Sequence, residues 1–209
     1  MVRLLAAIGI GLTLAAPSVA LGGTAKARPR VTVIGDSVAS VLRSNTDAER
    51  QLARSLDLQL DLRVCRKLVE PSCWYAGEQA PTALQAVQAA GSSLGRIVVV
   101  DVGYNDIASE YRPELDQVMQ ALVDAGVSRV VWVTLHEDRE NYSLINGVIE
   151  NAPSRWPQLR VADWNAFSAG KPWFGYDSVH LNDSGALGLA RLLRMQVMAA
   201  LAVPGSRVP

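Results

Sequence analysis

The sequence has no excess of charge of either sign, because 20 lysine and arginine residues balance 20 aspartate and glutamate residues among 209. Nucleic-acid-binding domains normally present a basic patch. The charge balance therefore argues against nucleic acid, and against an anionic membrane surface, as a partner. Apolar residues make up 49% of the chain, a composition typical of globular proteins. The length allows one domain with a substantial core.

Histidine and cysteine are scarce, with two residues of each type. The sequence lacks the H-E-x-x-H zinc motif, and the spacing of Cys65 and Cys73 is not that of a metal site. We therefore expect no metal. In an oxidising compartment, a disulfide that closes the short loop between the two cysteines is favoured over two free thiols. The alternative is that both thiols are buried as small apolar side chains.

The apolar N-terminal segment is too short for a comfortable transmembrane helix, which needs about 20 apolar residues. Arg3 precedes an apolar run over residues 4–16, and the small residues Ser18 and Ala20 then form an A-x-A-like cleavage site. This pattern predicts a cleaved signal peptide over residues 1–20. The protein is then secreted or periplasmic, with no integral membrane domain after cleavage; an uncleaved anchor is the alternative.

Strand and helix patterns alternate through the rest of the chain. We predict five strands, over residues 31–34, 56–64, 97–102, 130–135 and 159–164. The third and fourth are nearly continuous apolar runs, as in strands buried on both faces of a parallel sheet. The second alternates with period two and belongs at an edge. Five β–α units with right-handed crossovers predict a flavodoxin-like three-layer α/β/α sandwich, with a five-stranded parallel sheet in the order 2-1-3-4-5.

These elements form one predicted domain over residues 31–202. A short N-terminal segment, residues 21–30, precedes it, and residues 203–209 are predicted to be a flexible tail. The last helix is expected to follow an N-cap at Asp183 or Ser184. We find no internal repeat that would indicate a second domain.

Three polar motifs, GDS, GYND and DSVH, follow strands of the predicted sheet. Ligands of open α/β sheets bind beyond the carboxyl ends of the strands, so we expect these motifs at one edge. Ser37 can act as a nucleophile if a base takes its proton. His180 is the candidate base, and Asp177 lies close enough in the sequence to hold and orient its imidazole.

Attack on an ester carbonyl also needs hydrogen-bond donors for the oxyanion that develops. The side-chain amide of Asn105 and the backbone N–H groups of Ser37 and Gly77 are the candidates. Glycine suits this role because it lets the backbone and the substrate approach closely. Gly77 is chosen by its position, after the second strand and just before a helix.

GDSV after the first strand, GYND after the third and DSVH before the last helix resemble the SGNH (GDSL-type) hydrolase superfamily. The motifs occur in family order and span nearly the whole mature chain. The resemblance implies the flavodoxin-like fold and an esterase, lipase, carbohydrate acyl-esterase or acyltransferase activity without a metal or organic cofactor. It implies Ser37, Asp177 and His180 as a catalytic triad, with Gly77 and Asn105 in the oxyanion hole. The sequence departs from the family around the glycine, where it has no clear motif.

Other polar residues at the same edge have alternative interpretations. We interpret Asp36 and Asp106 as residues that brace turns through local hydrogen bonds. His136 leaves the fourth strand at this edge and is a rival base, but it has no D-x-x-H arrangement, which favours a position at the rim of the site. Three tryptophans can either pack in the core or form an aromatic rim suited to sugar rings: Trp74, Trp164 and Trp173. Three basic residues are candidates for contact with an anionic substrate, although the solvated surface is favoured for them: Arg43, Arg66 and Lys67.

The favoured function is an exported serine hydrolase that cleaves acyl esters, with short acyl groups on a small-molecule or glycan alcohol. Two alternatives stay open. One is an O-acyltransferase for envelope glycans that uses the same triad, and the other is a catalytically idle carbohydrate- or lipid-binding module. A phosphatase or phospho-receiver based on Asp36 and Asp106 is less favoured, because the first strand ends in GDS and not in D-x-D. The sequence makes no prediction of the oligomeric state.

Overall fold

The computed structural model describes residues 27–202. The predicted signal peptide over residues 1–20 and the predicted tail over residues 203–209 lie outside the described residues. The described chain has seven strands: β1 Arg30–Gly35, β2 Asp57–Leu62, β3 Trp74–Tyr75, β4 Glu78–Gln79, β5 Ile97–Asp101, β6 Arg129–Val133 and β7 Leu159–Ala162. Its α-helices are α1 Val41–Ser44, α2 Thr46–Ala53, α3 Ala83–Ala90, α4 Ala108–Asp124, α5 Glu140–Asn151, α6 Trp164–Ser168 and α7 Asp183–Ala202. Short 3₁₀ helices follow α3 and α5, at Gly91–Leu94 and Ala152–Ser154.

The main sheet confirms the predicted order. Five parallel strands lie in the order β2-β1-β5-β6-β7, which is 2-1-3-4-5 when the short strands β3 and β4 are set aside. Every residue of β5 is buried, as the continuous apolar run predicts, whereas the edge strand β2 is mostly half-buried. The strands therefore differ in burial in the way that their sequence patterns indicate.

Helices cover both faces of the sheet and complete the three-layer sandwich. One apolar cluster joins α3, α4 and α5 to side chains such as Ile34 and Val98. The other joins α1, α2, α6 and α7 to the opposite face, where Val33 and Val99 lie. Among the described helices, α7 is long and apolar enough to cross a membrane by length and composition, but half of that stretch is buried within the fold. Its apolar residues are explained by packing on the sheet.

One strand end and one helix start differ from the prediction, and a capping side chain explains each. Strand β7 ends at Ala162 instead of continuing to residue 164, because the side chain of Asp163 accepts a hydrogen bond from the N–H of Ala166 at 2.9 Å and starts α6. The N-cap of α7 is Asn182, whose side-chain oxygen accepts from the N–H of Gly185 at 3.1 Å. Asp183 is therefore the first residue of the helix and not its cap.

The segment between β2 and α3 contains a hairpin that the sequence patterns do not predict. Strands β3 and β4 pair antiparallel, Trp74 with Gln79 and Tyr75 with Glu78. The two turn residues, Ala76 and Gly77, both have positive φ, 51° and 86°. This combination is the one that a two-residue hairpin turn of type I′ requires. Strands of two residues are too short to produce a recognisable alternation.

Candidate active site

Asp36 holds together the two turns that follow β1 and β5. Its buried carboxylate accepts the N–H of Val38 at 2.9 Å through Oδ1, and those of Gly103 and Tyr104 at 3.3 and 3.2 Å through Oδ2. Burial raises the pKa of Asp36 to about 6, although the hydrogen bonds from the three N–H groups partly offset this effect by lowering the pKa. The contacts confirm the predicted bracing role, and they fix the turn that carries Ser37 against the turn that carries Asn105.

Replacing Asp36 by asparagine is expected to destabilise the fold. An amide has one oxygen, so its NH₂ group must face either the N–H of Val38 or those of Gly103 and Tyr104, which are buried donors. A buried donor left without an acceptor costs about 1–3 kcal/mol. Urea unfolding followed by tryptophan fluorescence should show a loss of this size, whereas Asp47→Asn on exposed α2 should change little. Equal stability of the Asp36→Asn variant and the wild type would contradict the bracing role.

Ser37, His180 and Asp177 form a continuous series of hydrogen bonds. The Nε2 atom of His180 lies 3.0 Å from the Oγ of Ser37, and its Nδ1 lies 2.6 Å from the Oδ2 of Asp177. The second carboxylate oxygen of Asp177 accepts the N–H groups of Val179 and His180 at 3.1 and 3.0 Å. The hydrogen bond from the His180 side chain, followed by these two backbone bonds, lowers the pKa of Asp177 well below its usual range.

This geometry allows a proton to pass from the hydroxyl of Ser37 to the imidazole of His180. With the carboxylate of Asp177 accepting from Nδ1–H, the other ring nitrogen of His180 is free to accept the hydroxyl proton of Ser37. The structure therefore brings together three residues that the motifs GDS and DSVH predict from distant parts of the chain. The side chains of His180 and Asp177 are 53% and 31% exposed, so the series lies open at the surface.

Asn105 is held by the backbone of the segment after β2. Its side-chain nitrogen donates to the carbonyl of Arg66 at 3.2 Å, which leaves the second amide hydrogen available for a ligand. The neighbouring Asp106 accepts the N–H of Leu68 at 2.9 Å, in agreement with its predicted structural role. Burial, the largest effect, raises the pKa of Asp106 to about 7.

The structure places Gly77 on a different element, the β3–β4 hairpin, from the turns and the loop that carry the other predicted site residues. It is an exposed turn residue of the β3–β4 hairpin, and within residues 27–202 no hydrogen bond links it to Ser37, Asn105 or His180. Its positive φ is explained by the hairpin turn. The predicted disulfide between Cys65 and Cys73 is confirmed, with the two Cα atoms 5.4 Å apart.

The loop that carries Asp177 and His180 is anchored by aromatic stacking. The ring of Trp173 stacks on buried Trp164, with centroids 5.7 Å apart, and the next residue, Phe174, stacks on His136 at 3.9 Å. The backbone N–H of His136 also donates to the hydroxyl of Tyr104 at 2.8 Å. Burial lowers the pKa of His136. Of the three tryptophans named above, Trp173 belongs to this loop and packs on buried Trp164, while Trp74 is exposed on β3.

We expect His136 to position the loop through Phe174. Replacing His136 by alanine removes a stacking contact of the kind worth about 0.5–1.5 kcal/mol, so kcat for an acyl ester should fall by roughly two- to tenfold. Replacing it by phenylalanine keeps a ring against Phe174 and should preserve most of the activity. A general base, in contrast, would be lost in both variants. Equal, large losses of kcat in the two variants would thus contradict a positioning role.

The sequence interpretation is wrong about the environment of Arg66. It is fully buried and not on the solvated surface. Its guanidinium donates to the carbonyl of Pro81 at 2.9 Å, and to the carbonyl and carboxylate of Asp61 at 2.6 and 3.1 Å. These acceptors belong to β2 and to the residue before the N-cap of α3. Only tertiary contacts reveal this role, because a lone arginine in a polar segment gives no signal of burial.

Comparison with known sequences finds a partial match. No family model matches the sequence. Over 100 residues the chain is 30% identical to the O-acetyltransferase OatA of Staphylococcus aureus strain NCTC 8325, and the match covers 47% of this chain but 16% of OatA. The chain thus matches about a sixth of the length of this curated relative.

Two solved structures have similar folds. A carbohydrate acetylesterase family member from Sinorhizobium meliloti has a TM-score of 0.65 at 12% identity, over 84% of this chain and 100% of that one. A protein from Bacteroides ovatus described as a GDSL-like lipase also has a TM-score of 0.65, at 13% identity, over 85% of this chain and 55% of that one. At these identities, the similarity establishes the fold.

Proposed function

We propose that this chain, which has the fold of the SGNH (GDSL-type) hydrolase superfamily, is an exported serine hydrolase that cleaves acyl esters. The observation that carries the proposal is the hydrogen-bonded series of Ser37, His180 and Asp177, with contacts of 3.0 and 2.6 Å. A nucleophile, a base within hydrogen-bond reach and a third group that orients the base are what nucleophilic catalysis requires. The rest of the site supplies donors for the oxyanion.

The reaction proceeds through an acyl-enzyme. The Nε2 atom of His180 takes the proton of Ser37 as Oγ attacks the ester carbonyl, and Asp177 stabilises the imidazolium that forms. The tetrahedral intermediate collapses when the C–O bond breaks and the alcohol leaves with the proton from His180. Water, deprotonated by the same nitrogen, then attacks the acyl-enzyme and releases the acid and free Ser37.

Hydrogen-bond donors stabilise the negative charge on the carbonyl oxygen. The free amide hydrogen of Asn105 is one, since its partner hydrogen already binds the Arg66 carbonyl and fixes the orientation of the amide. The backbone N–H of Ser37 is another, because within residues 27–202 it has no acceptor. Each donor of this kind contributes on the order of a hundred- to a thousandfold in kcat.

The substrate that we favour is a short acyl group, such as acetyl, on a carbohydrate. Exposure of the His180 side chain lets an ester on a bulky alcohol reach Ser37 without entering a cavity. Tyr176, next to Asp177, is fully exposed and offers an aromatic face to a sugar ring. OatA is named as an O-acetyltransferase and the Sinorhizobium meliloti protein as a carbohydrate acetylesterase, and both names agree with this choice. The disulfide supports a location outside the cytoplasm.

Covalent labelling tests the proposal directly. A fluorophosphonate should label the wild-type protein at Ser37, mapped by mass spectrometry, and labelling should abolish the hydrolysis of a small acetyl ester. Prior incubation with the ester should slow the labelling, because both compounds compete for the same hydroxyl. A protein that binds acetylated glycans but neither hydrolyses them nor reacts with the label would instead be a binding module.

A second candidate function is an O-acyltransferase, which the similarity to OatA favours. In that reaction a sugar hydroxyl replaces water as the acceptor of the acyl group from Ser37. The two functions are separated by product analysis with an acetyl ester donor and a glycan acceptor in the same reaction. Acetylated glycan would indicate transfer, and stoichiometric acetate alone would indicate hydrolysis.

A further inference from the structure

The segment after β2 is hydrogen-bonded both to the end of β1 and to Asn105. At its start, the N–H of Arg63 donates to the carbonyl of Gly35 at 3.0 Å, one residue before Asp36. At its far side, the carbonyl of Arg66 accepts from the Asn105 amide at 3.2 Å. Cys65 lies between these two fixed points. Its backbone is therefore adjacent to the side chain that we place in the oxyanion hole.

The backbone of Cys65 has two unusual properties. Its φ is +66°, in the left-handed region that favours glycine and that costs other residues energy. Moreover, the N–H groups of Arg63 and of residues 66–68 all have acceptors, whereas within residues 27–202 those of Val64 and Cys65 have none. Of these two, Cys65 is bonded directly to Arg66, the residue that holds Asn105. A strained backbone and an unpaired donor together are typical of a functional position.

Covalent and polar contacts hold Cys65 on both sides. Its side chain is joined to Cys73, which precedes the β3–β4 hairpin. Next to it, the buried guanidinium of Arg66 is fixed by the carbonyl of Pro81 and by Asp61. The disulfide thus restrains Cys65, whose backbone conformation is unfavourable. The contacts of Arg66 fix the chain immediately after it.

We propose that the backbone N–H of Cys65 is the third oxyanion donor, in place of Gly77, and that the disulfide to Cys73 keeps Cys65 in the left-handed conformation that this role needs. The inference rests on the proposed serine hydrolase function. Gly77 is accounted for by its hairpin turn, and within residues 27–202 no hydrogen bond links it to Ser37, Asn105 or His180. A disulfide-bonded cysteine therefore takes a place that would suit glycine, and full activity requires the oxidised protein.

Two double variants separate the backbone conformation from the disulfide itself. In Cys65→Ala with Cys73→Ala, a non-glycine residue must hold the left-handed conformation without the disulfide. In Cys65→Gly with Cys73→Ala, glycine adopts it freely. Both variants lack the disulfide and are assayed well below their melting temperatures, with circular dichroism to confirm the fold. The readouts are kcat and KM for a small acetyl ester and the rate of fluorophosphonate labelling.

The alanine double variant should have kcat lowered on the order of tenfold with little change in KM, since the left-handed conformation costs a non-glycine residue about that factor. The glycine double variant keeps the backbone N–H of residue 65, in a conformation that glycine adopts freely, and should recover most of the kcat that the alanine double variant loses. Reduction of the wild type by dithiothreitol, which becomes a cyclic disulfide as it converts Cys65 and Cys73 to thiols, should lower kcat similarly. The glycine variant should not respond to the reductant.

Three results would overturn the inference: equal losses of kcat in both double variants, no loss in the alanine variant, or full activity of wild-type protein whose two thiols have been titrated as free. If the alanine variant does not fold, the inference is still tested by comparing kcat of the reduced wild type, which should fall, with kcat of the glycine variant, which should be largely retained. Failure of the proposed function is distinguishable, because the oxidised wild type would then neither hydrolyse the ester nor react with the fluorophosphonate.

Discussion

Replacement of Ser37 by alanine is expected to lower kcat/KM for a small acetyl ester by roughly 10⁴- to 10⁶-fold. The variant lacks the oxygen that attacks the carbonyl, so no acyl-enzyme can form, and the residual rate comes from water acting in the remaining site. The fold should be unaffected, because within residues 27–202 the hydroxyl of Ser37 hydrogen-bonds to the exposed side chain of His180 alone. Initial rates, labelling by a fluorophosphonate and the melting temperature are the measurements.

The matched control is Ser44→Ala, at the end of the neighbouring helix α1. Ser44 is exposed, and within residues 27–202 its hydroxyl donates to the carbonyl of Val41 alone, at 3.2 Å, so both activity and labelling should match those of the wild type. Retained labelling of the Ser37→Ala variant would show that the reagent reacts elsewhere. Retained hydrolysis with a normal melting temperature would eliminate Ser37 as the nucleophile.

The fold could be predicted because burial and apolar pattern correspond closely in a parallel sheet. Strands β5 and β6 are covered by helices on both faces, so nearly every residue must be apolar, and the runs that begin at Ile97 and Val130 have this character. The convergence of Ser37, Asp177 and His180 could be predicted for a related reason. Strand exits of a parallel sheet share one edge, so short polar motifs at separate exits converge in space.

Cys65, which we propose as the second backbone donor to the oxyanion, could not be found in this way. A glycine after β2 was expected, and Gly77 is the only glycine between β2 and α3. Which backbone lies beside Asn105 depends on the contacts of Arg66 and on the φ of Cys65, and residue type alone shows neither. The disulfide was predicted from the expected oxidising compartment and from the spacing of the two cysteines. Its position next to the residue that holds Asn105 depends on tertiary structure.

The remaining large effect is expected for Asp177→Asn, which should lower kcat on the order of 10³- to 10⁴-fold. The asparagine oxygen can still accept the N–H groups of Val179 and His180, as Oδ1 of the aspartate does. Its NH₂ group then faces Nδ1 of His180 and must donate to it. The imidazole therefore carries its proton on Nε2, and that nitrogen can no longer accept the proton of Ser37. Asp183→Asn, at the start of α7, is the matched control, because Asp183 is exposed and within residues 27–202 its side chain accepts one hydrogen bond, from the amide of half-buried Asn45.

The same substitution should change how stability depends on pH. The pKa of Asp177 is lowered from its ordinary value of 3.8, chiefly by the His180 side chain, so the folded chain binds a proton at this carboxylate less tightly than the unfolded chain does. This contribution is present above pH 3.8 and is lost as the pH falls towards the lowered pKa. Urea unfolding should therefore show the wild type more stable than Asp177→Asn at pH 7, with a difference that shrinks progressively below about pH 4. A difference independent of pH would mean that Asp177 does not hold His180 through its charged form, and a normal kcat in the variant would remove Asp177 from the mechanism.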